Sequence, residues 1–460
     1  MTILFDNSFV NLPKSFYMRQ SPVPVAAPKL VKFNNALAAE IGVEAADFPV
    51  EVLAGNAVPE GAAPLAAAYA GHQFGGFVPQ LGDGRAVLLG EVVGPDGLRR
   101  DIQLKGAGRT YFSRGGDGRA ALGPVLREYI VSEAMFALGV PTTRALAAVT
   151  TGEPVQRETP LPGAILTRVA KSHLRVGSFQ FHYARQDKAA LKALEVYARA
   201  RHYPEAKTPL EFLDAVVEAQ ARLVAKWMQF GFIHGVMNTD NCSISGETID
   251  YGPCAFMDTY HPETVFSSID RRGRYAYANQ PEMALWNLAQ LAQSLVPLVG
   301  DIDKLEASLR RFNDIYAHAF NEGFSKKLGL AKTDESFVVA TLKMMADEGV
   351  DFTLFFRRLS YDEPISDLFE TTDVATTWLA DWQNRTTAEA KAHMKRVNPV
   401  FIPRNHQVEA VISAANQGDF APFETLTSVL QSPYSPQPEH AGFEAPPTED
   451  ERVLATFCGT

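Results

Sequence analysis

The apolar pattern changes period once along this chain, near residue 170, and that change fixes which structures its two parts can form. Before it, short apolar runs are separated by glycine-rich turns. Of the 33 glycines, 14 lie between Gly71 and Gly123, as expected where turns are tight and backbone approaches a ligand closely. The runs 86–93 and 98–104, joined by Gly94-Pro95-Asp96-Gly97, read as two strands of a hairpin. Pro124 and Gly139 bracket a helix in the Pro-first, Gly-last arrangement, and 144–150 and 164–169 read as further strands.

After residue 170 the spacing is helical. Phe212, Val216, Val217, Leu223, Val224 and Trp227 fall on or near one face of a helix over 211–230. The same reasoning predicts helices over 281–298, 302–324, 335–348, 376–396, 405–416 and 422–430. The segment 433–447 holds five prolines and reads as an extended surface tail. The chain thus divides into a strand-rich N-lobe (1–170), a helical C-lobe (171–430) and a Pro-rich tail (431–460) ending near Cys458. The class is α+β, with the two-lobed layout of a protein kinase.

Composition narrows the partners. Hydrophobic content of 46% and charged content of 21% are those of an ordinary globular chain. A net charge of -10 supplies no basic footprint for nucleic acid. No apolar run reaches the roughly 18–20 residues that span a bilayer, and the first residues lack the charged and apolar regions of a signal peptide. Three cysteines, Cys242, Cys254 and Cys458, are too few for a disulfide scaffold. A cytoplasmic protein with no membrane or nucleic-acid partner is expected.

The chemistry concentrates in His234-Gly-Val-Met-Asn-Thr-Asp-Asn241. Kinase-like sites place a catalytic Asp and a metal-binding Asn as D-x-x-x-x-N. Asn241 fits that asparagine, but the aspartate position is Val236, and a carboxylate reappears at Asp240. Asp250-Tyr251-Gly252 supplies the second metal ligand. Asn and Asp oxygens suit Mg²⁺, which takes few protein ligands and completes its shell with phosphates. Asp240 is placed to accept a proton from an attacking hydroxyl. His234 reads as a structural residue bonded to loop backbone.

Other residues fit phosphate chemistry. Lys105 ends an apolar strand and needs a carboxylate partner, for which Glu128 and Glu133 on the following helix are both candidates. Gly82-Asp83-Gly84-Arg85 precedes a strand, and Gly115-Gly116-Asp117-Gly118-Arg119 precedes a helix. Such turns let backbone N–H groups and arginines approach phosphate oxygens; either alone is more often a plain hairpin turn, and two of them flanking Lys105 balance the two readings. Arg168 and Arg175 fall where the strand part passes into the helical part, and guanidinium groups there suit phosphates rather than adenine.

Together Gly71-His-Gln-Phe-Gly75, Gln80-Leu-Gly-Asp-Gly-Arg85, Leu104-Lys-Gly-Ala-Gly108, Gly116-Asp-Gly-Arg-Ala120, Pro141-Thr-Thr-Arg-Ala-Leu146, the loop ending at Asn241 and Asp250-Tyr-Gly-Pro253 resemble the selenoprotein O (YdiU) family. The resemblance runs from about residue 10 to the C-terminal cysteine. It implies a pseudokinase that moves AMP from ATP onto protein Ser, Thr or Tyr hydroxyls, with the nucleotide turned so that its γ-phosphate lies where kinases hold adenine. It implies Asp240 as proton acceptor, Asn241 and Asp250 as Mg²⁺ (or Mn²⁺) ligands, and Gly82, Gly84, Arg85, Lys105, Asp117, Gly118, Arg168, Arg175 and Asp250 as nucleotide contacts, with Glu128 pairing Lys105. UMP transfer with Mn²⁺ is also attributed to the family. Its bacterial members carry a C-terminal cysteine, here Cys458, which in some relatives pairs with one after Asp-Tyr-Gly. Here 265–270 offers serines, and Cys254 is the cysteine nearby. A γ-phosphate-transferring kinase and an inactive nucleotide-binding scaffold are the alternatives.

Overall fold

The computed structural model describes residues 3–457. The strand-rich part contains β1 (Tyr17–Arg19), β2 (Lys29–Phe33), β3 (Leu65–Ala67), β4 (Gly71–Gln73), β5 (Gly76–Val78), β6 (Ala86–Val93), β7 (Arg99–Lys105), β8 (Ala120–Ala121), β9 (Arg144–Gln156) and β10 (Pro160–Ala170). One antiparallel sheet runs β1-β3-β6-β7-β10-β9-β2, with β8 paired to β10, while β4 and β5 form a separate hairpin. The expected strands are present. Those at 144 and 164 are longer than expected and pair with each other as a hairpin.

The sheet is apolar on both faces. Val87, Leu89, Ile102, Leu104, Leu146 and Val149 pack with Leu37, Ile41 and Leu53 from the short helices Asn35–Ile41 and Val50–Leu53. Against the other face lies helix Leu122–Ala137, whose Leu126, Tyr129 and Ile130 join Ala148 and Leu166. It starts two residues before Pro124, which therefore sits in the first turn, where a missing N–H breaks no helical bond. Helices Asn405–Asn416 and Ala421–Leu430 cover its outer side through Val408, Val411, Phe423 and Leu426. The last helices of the chain thus return to the strand-rich part.

The helical part centres on Pro209–Gln229, Gln280–Val299 and Ile302–Lys327. Phe212, Val216, Leu223, Leu288, Leu291, Phe312 and Phe324 are buried together there. One expected helix is broken: 376–396 is two helices, Thr372–Gln383 and Ala388–Met394. Thr387 turns its hydroxyl to accept from the Ala390 N–H (3.2 Å), and Thr386 donates to the Gly329 carbonyl (2.6 Å). Such hydroxyls compete with helical bonding and start a new helix instead. Helices Val176–Ala184, Lys188–His202 and Phe352–Ser360 were not anticipated.

The described part of the tail crosses the surface and turns into a 3-10 stretch over Pro438–Glu444. Near its end Thr456 bonds the Pro253 carbonyl (2.7 Å) and the Phe266 carbonyl (2.7 Å, through its N–H), beside Ser267. Cys458 lies outside the described residues. Among those residues, no helix is long and apolar enough to cross a membrane.

Candidate active site

Two short strands, β11 (Phe232–Ile233) and β12 (Ala255–Phe256), pair antiparallel and bring the 234–241 loop beside Asp250. His234 is buried, and its Nε2 bonds the Ile249 carbonyl (2.9 Å), tying the two loops together as a structural residue. Gly235 has φ +79°, and a Cβ there would lie 2.5 Å from the Pro253 carbonyl oxygen. Only glycine fits this close crossing.

The β4–β5 hairpin is stitched onto the loop. Thr239 Oγ1 accepts from His72 N–H (2.7 Å) and donates to Gln180 Oε1 (2.6 Å). Asn238 Oδ1 accepts from Phe74 N–H (3.0 Å) and Tyr275 O–H (2.7 Å). Asp240 is buried beneath the hairpin. Its Oδ2 accepts from Gln73 Nε2 (3.2 Å), and its Oδ1 has no partner. Burial raises this carboxyl to about 6, with the nearby Arg175 charge opposing only in part.

Asp250 has the opposite environment. Its Oδ1 accepts from Lys105 Nζ (3.0 Å) and Arg168 Nη1 (2.6 Å), and its Oδ2 from Arg175 Nη1 (2.8 Å). Burial alone would raise this carboxyl, but Lys105, Arg168 and Arg175 outweigh it and hold Asp250 well below the usual range. Its backbone is left-handed, φ +63°, a conformation Asp tolerates better than most residues. The same Arg175 Nη1 also donates to the Asp240 carbonyl (2.7 Å), linking the two loops through one guanidinium.

The sheet supplies these cations by its register. Arg168 on β10 lies opposite Gln103 on β7, and Leu166 lies opposite Lys105. Positions 103 and 105 share a face of the strand, as the period of two requires. Lys105 pairs with Glu128 of helix Leu122–Ala137 at 2.5 Å, and Glu128 also holds Arg168 (3.1 Å). Glu133 is the candidate that drops out, since it bonds Arg144 (2.8 Å) and the Ala145 N–H (2.9 Å). Arg175 precedes helix Val176–Ala184, with its guanidinium 4.6 Å from the centre of the Tyr69 ring.

The two glycine turns differ. Gly82 has φ +89°, and a Cβ there would lie 2.3 Å from the Phe112 ring. Between Gly82 and Gly84, Asp83 turns inward and is buried. Arg85 carries no acidic partner among the described residues. In the second turn Asp117 is largely exposed and faces Arg157 (2.9 Å) and the Arg119 N–H (2.9 Å). Gly118 packs so tightly on the Gly108 backbone that a Cβ would lie 2.2 Å from its carbonyl oxygen. Lys105, Glu128, Arg168, Arg175, Asp240 and Asp250 are therefore one cluster, with Asn241 adjoining and Asp117 turned away from it.

The donor set fits a hard divalent cation. Asn241 commits its Nδ2 to the Val236 carbonyl (3.0 Å), leaving Oδ1 available, and Asp250 adds carboxylate oxygens. Among the described residues no three His, Cys, Asp or Glu side chains gather as a metal site, so phosphate oxygens would have to complete the shell. Gln73, Asp83 and Gln103 were missed from the sequence, although the polar-apolar alternation of Asp101-Ile-Gln-Leu-Lys105 already places 103 beside 105.

A buried carboxylate thus lies beside an anion ringed by three cations, and the comparisons with known proteins give the class of the enzyme that holds them, a nucleotidyltransferase. The family model described as protein adenylyltransferase SelO matches residues 1–431. A protein of Ruegeria pomeroyi named protein nucleotidyltransferase YdiU is 57% identical over 471 residues, covering 100% of both chains. Proteins of the same name from a Bradyrhizobium species and from Rhodopseudomonas palustris are 57% and 56% identical, each alignment covering 99% of both chains. The chain belongs to the SelO (YdiU) family and is a nucleotidyltransferase.

Proposed function

We propose that this enzyme transfers AMP from ATP to Ser, Thr or Tyr hydroxyls of proteins and releases pyrophosphate, with Mg²⁺ or Mn²⁺ as the cation. The observation that carries this reading is the convergence of Lys105, Arg168 and Arg175 on Asp250, next to a buried carboxylate at Asp240. Asp250 and Asn241 would hold the cation, which supplies charge neutralisation at the phosphates. Polyphosphate oxygens entering the cluster take over hydrogen bonds that the three cations now give to Asp250, freeing its carboxylate. Asp240, with a spare Oδ1, accepts the proton of the attacking hydroxyl as that oxygen bonds the α-phosphorus.

Arg168 and Arg175 lie deep against the sheet. Buried guanidinium groups suit the terminal phosphate of a nucleotide that enters phosphate-first, which favours the turned nucleotide within a two-lobed, kinase-like frame. Gly82, Gly84 and Arg85 would line the path of the phosphates, and Asp117 and Gly118 the outer rim. ATP labelled at the α- or the γ-phosphate tests the assignment with a protein acceptor. Protein-bound α-label without γ-label is expected, whereas stoichiometric γ-label alone makes the enzyme a kinase. Parallel incubation with UTP reads the preference between AMP and UMP.

A further inference from the structure

We infer that Asp83 and Gln103 form a positioning pair that keeps Arg175 and Arg168 aimed at the nucleotide phosphates when Asp250 turns to a cation. The inference rests on the proposed placement of the polyphosphate. In the free enzyme each arginine gives its Nη1 to Asp250, Arg168 sharing it with Glu128 and Arg175 with the Asp240 carbonyl, so each loses a charged contact once that carboxylate is taken.

The anchor lies behind them. Gln103 is fully buried; its Oε1 accepts from Arg168 Nη2 (2.6 Å), and its Nε2 donates to Asp83 Oδ2 (3.2 Å). These two bonds fix the orientation of the amide. Asp83 Oδ2 also accepts from the Ala67 N–H (3.1 Å), while Oδ1 lies 3.8 Å from Arg175 Nη2. Each arginine therefore faces Asp250 through Nη1 and the pair through Nη2. Asp83 is buried, which pushes its carboxyl up, with the Arg175 and Arg168 guanidinium groups opposing, and its position places it as the partner that stays with the arginines. The glycines on either side let the backbone turn this carboxylate inward, which gives the Gly82-Asp83-Gly84 turn a purpose besides approach to phosphate.

A double-mutant cycle tests this, with ATP and AMP titrated calorimetrically into wild type, Asp83→Asn, Arg175→Ala and the double variant, each checked for folding by thermal melting. Asp83→Asn is expected to weaken ATP about tenfold, the scale of one charged contact, with AMP changed less than about threefold. On the Arg175→Ala background it should add less than about twofold, because positions acting through one another are not additive. Losses that multiply in full, or equal losses for ATP and AMP, overturn the inference alone. An unchanged ATP affinity in Arg175→Ala overturns the nucleotide placement and the inference with it. If Asp83→Asn does not fold, the cycle of Gln103→Leu with Arg168→Ala reads the same two outcomes.

Discussion

Asp240 and Asp250 are the same side chain on two loops tied to one hairpin, and the fold drives them in opposite directions. Asp240 sits under β4–β5 with one amide donor and an unpartnered oxygen, and its carboxyl rises to about 6. Asp250 is met by Lys105, Arg168 and Arg175 and falls well below the usual range. The difference comes from partners rather than depth, since both carboxylates are substantially removed from water. A carboxylate poised to take a proton near neutral pH suits a base, and one that stays ionised suits an anion that a cation can claim. Neighbours set the two environments.

The largest effect should come from removing the anion. Asp250→Ala leaves three clustered cations without their shared partner and removes the carboxylate proposed to hold the divalent cation. Transfer of α-label should fall to background, and retention within tenfold of wild type would rank Asp250 below Asp240 and remove it as the essential anion. Asp240→Ala should slow transfer by roughly 10²–10⁴-fold, the usual worth of a positioned base, while ATP binds within about twofold of wild type. Steady-state rates together with a binding isotherm separate these outcomes, and full activity at neutral pH would remove Asp240 as the base. Arg168→Ala, which takes one cation from the Asp250 side, should weaken ATP by about ten- to a hundredfold. AMP, lacking the outer phosphates, should lose much less, and equal losses would place the arginine near the adenine instead.

Stability offers a finer contrast because the two shifts have opposite signs. The folded carboxyl of Asp240 is raised above its unfolded value, so the native state binds more protons and stability falls as pH rises through the window from about 4 to about 6. Above that window the full penalty applies, and Asp240→Asn should raise the melting temperature by about 1–3 °C at pH 7.5. Asp250 is depressed, so its contribution is present at neutral pH and Asp250→Asn should lower the melting temperature. Shifts of the same sign would mean that the environments do not differ as described.

Much of this was legible in the sequence. Asn241, Asp250 and the displaced Asp240 stand out because loop motifs keep fixed spacing, and the hairpin 86–105 follows from its turn and alternation. The choice between Glu128 and Glu133 was not legible, because both sit on one helix and the sheet alone decides which faces Lys105. The two glycine turns read alike, yet Asp83 is buried beside Arg175 and Asp117 is paired with Arg157 on the outside. Turn composition specifies backbone freedom and is silent on the direction in which the central carboxylate points. The break at Thr386-Thr387 was missed because the apolar spacing continues across it, while the side-chain hydroxyls that end the helix act locally.

The contrast between the two aspartates is tested most directly by titrating them in the nucleotide-free enzyme. Carboxyl carbon NMR signals can be assigned by their loss in Asp240→Asn and Asp250→Asn. The Asp240 signal should titrate with a midpoint of about 6, and the Asp250 signal should stay in its ionised position down to the onset of acid unfolding. An Asp240 midpoint at the ordinary value of about 3.9, or an Asp250 signal that titrates alongside it, would contradict the account.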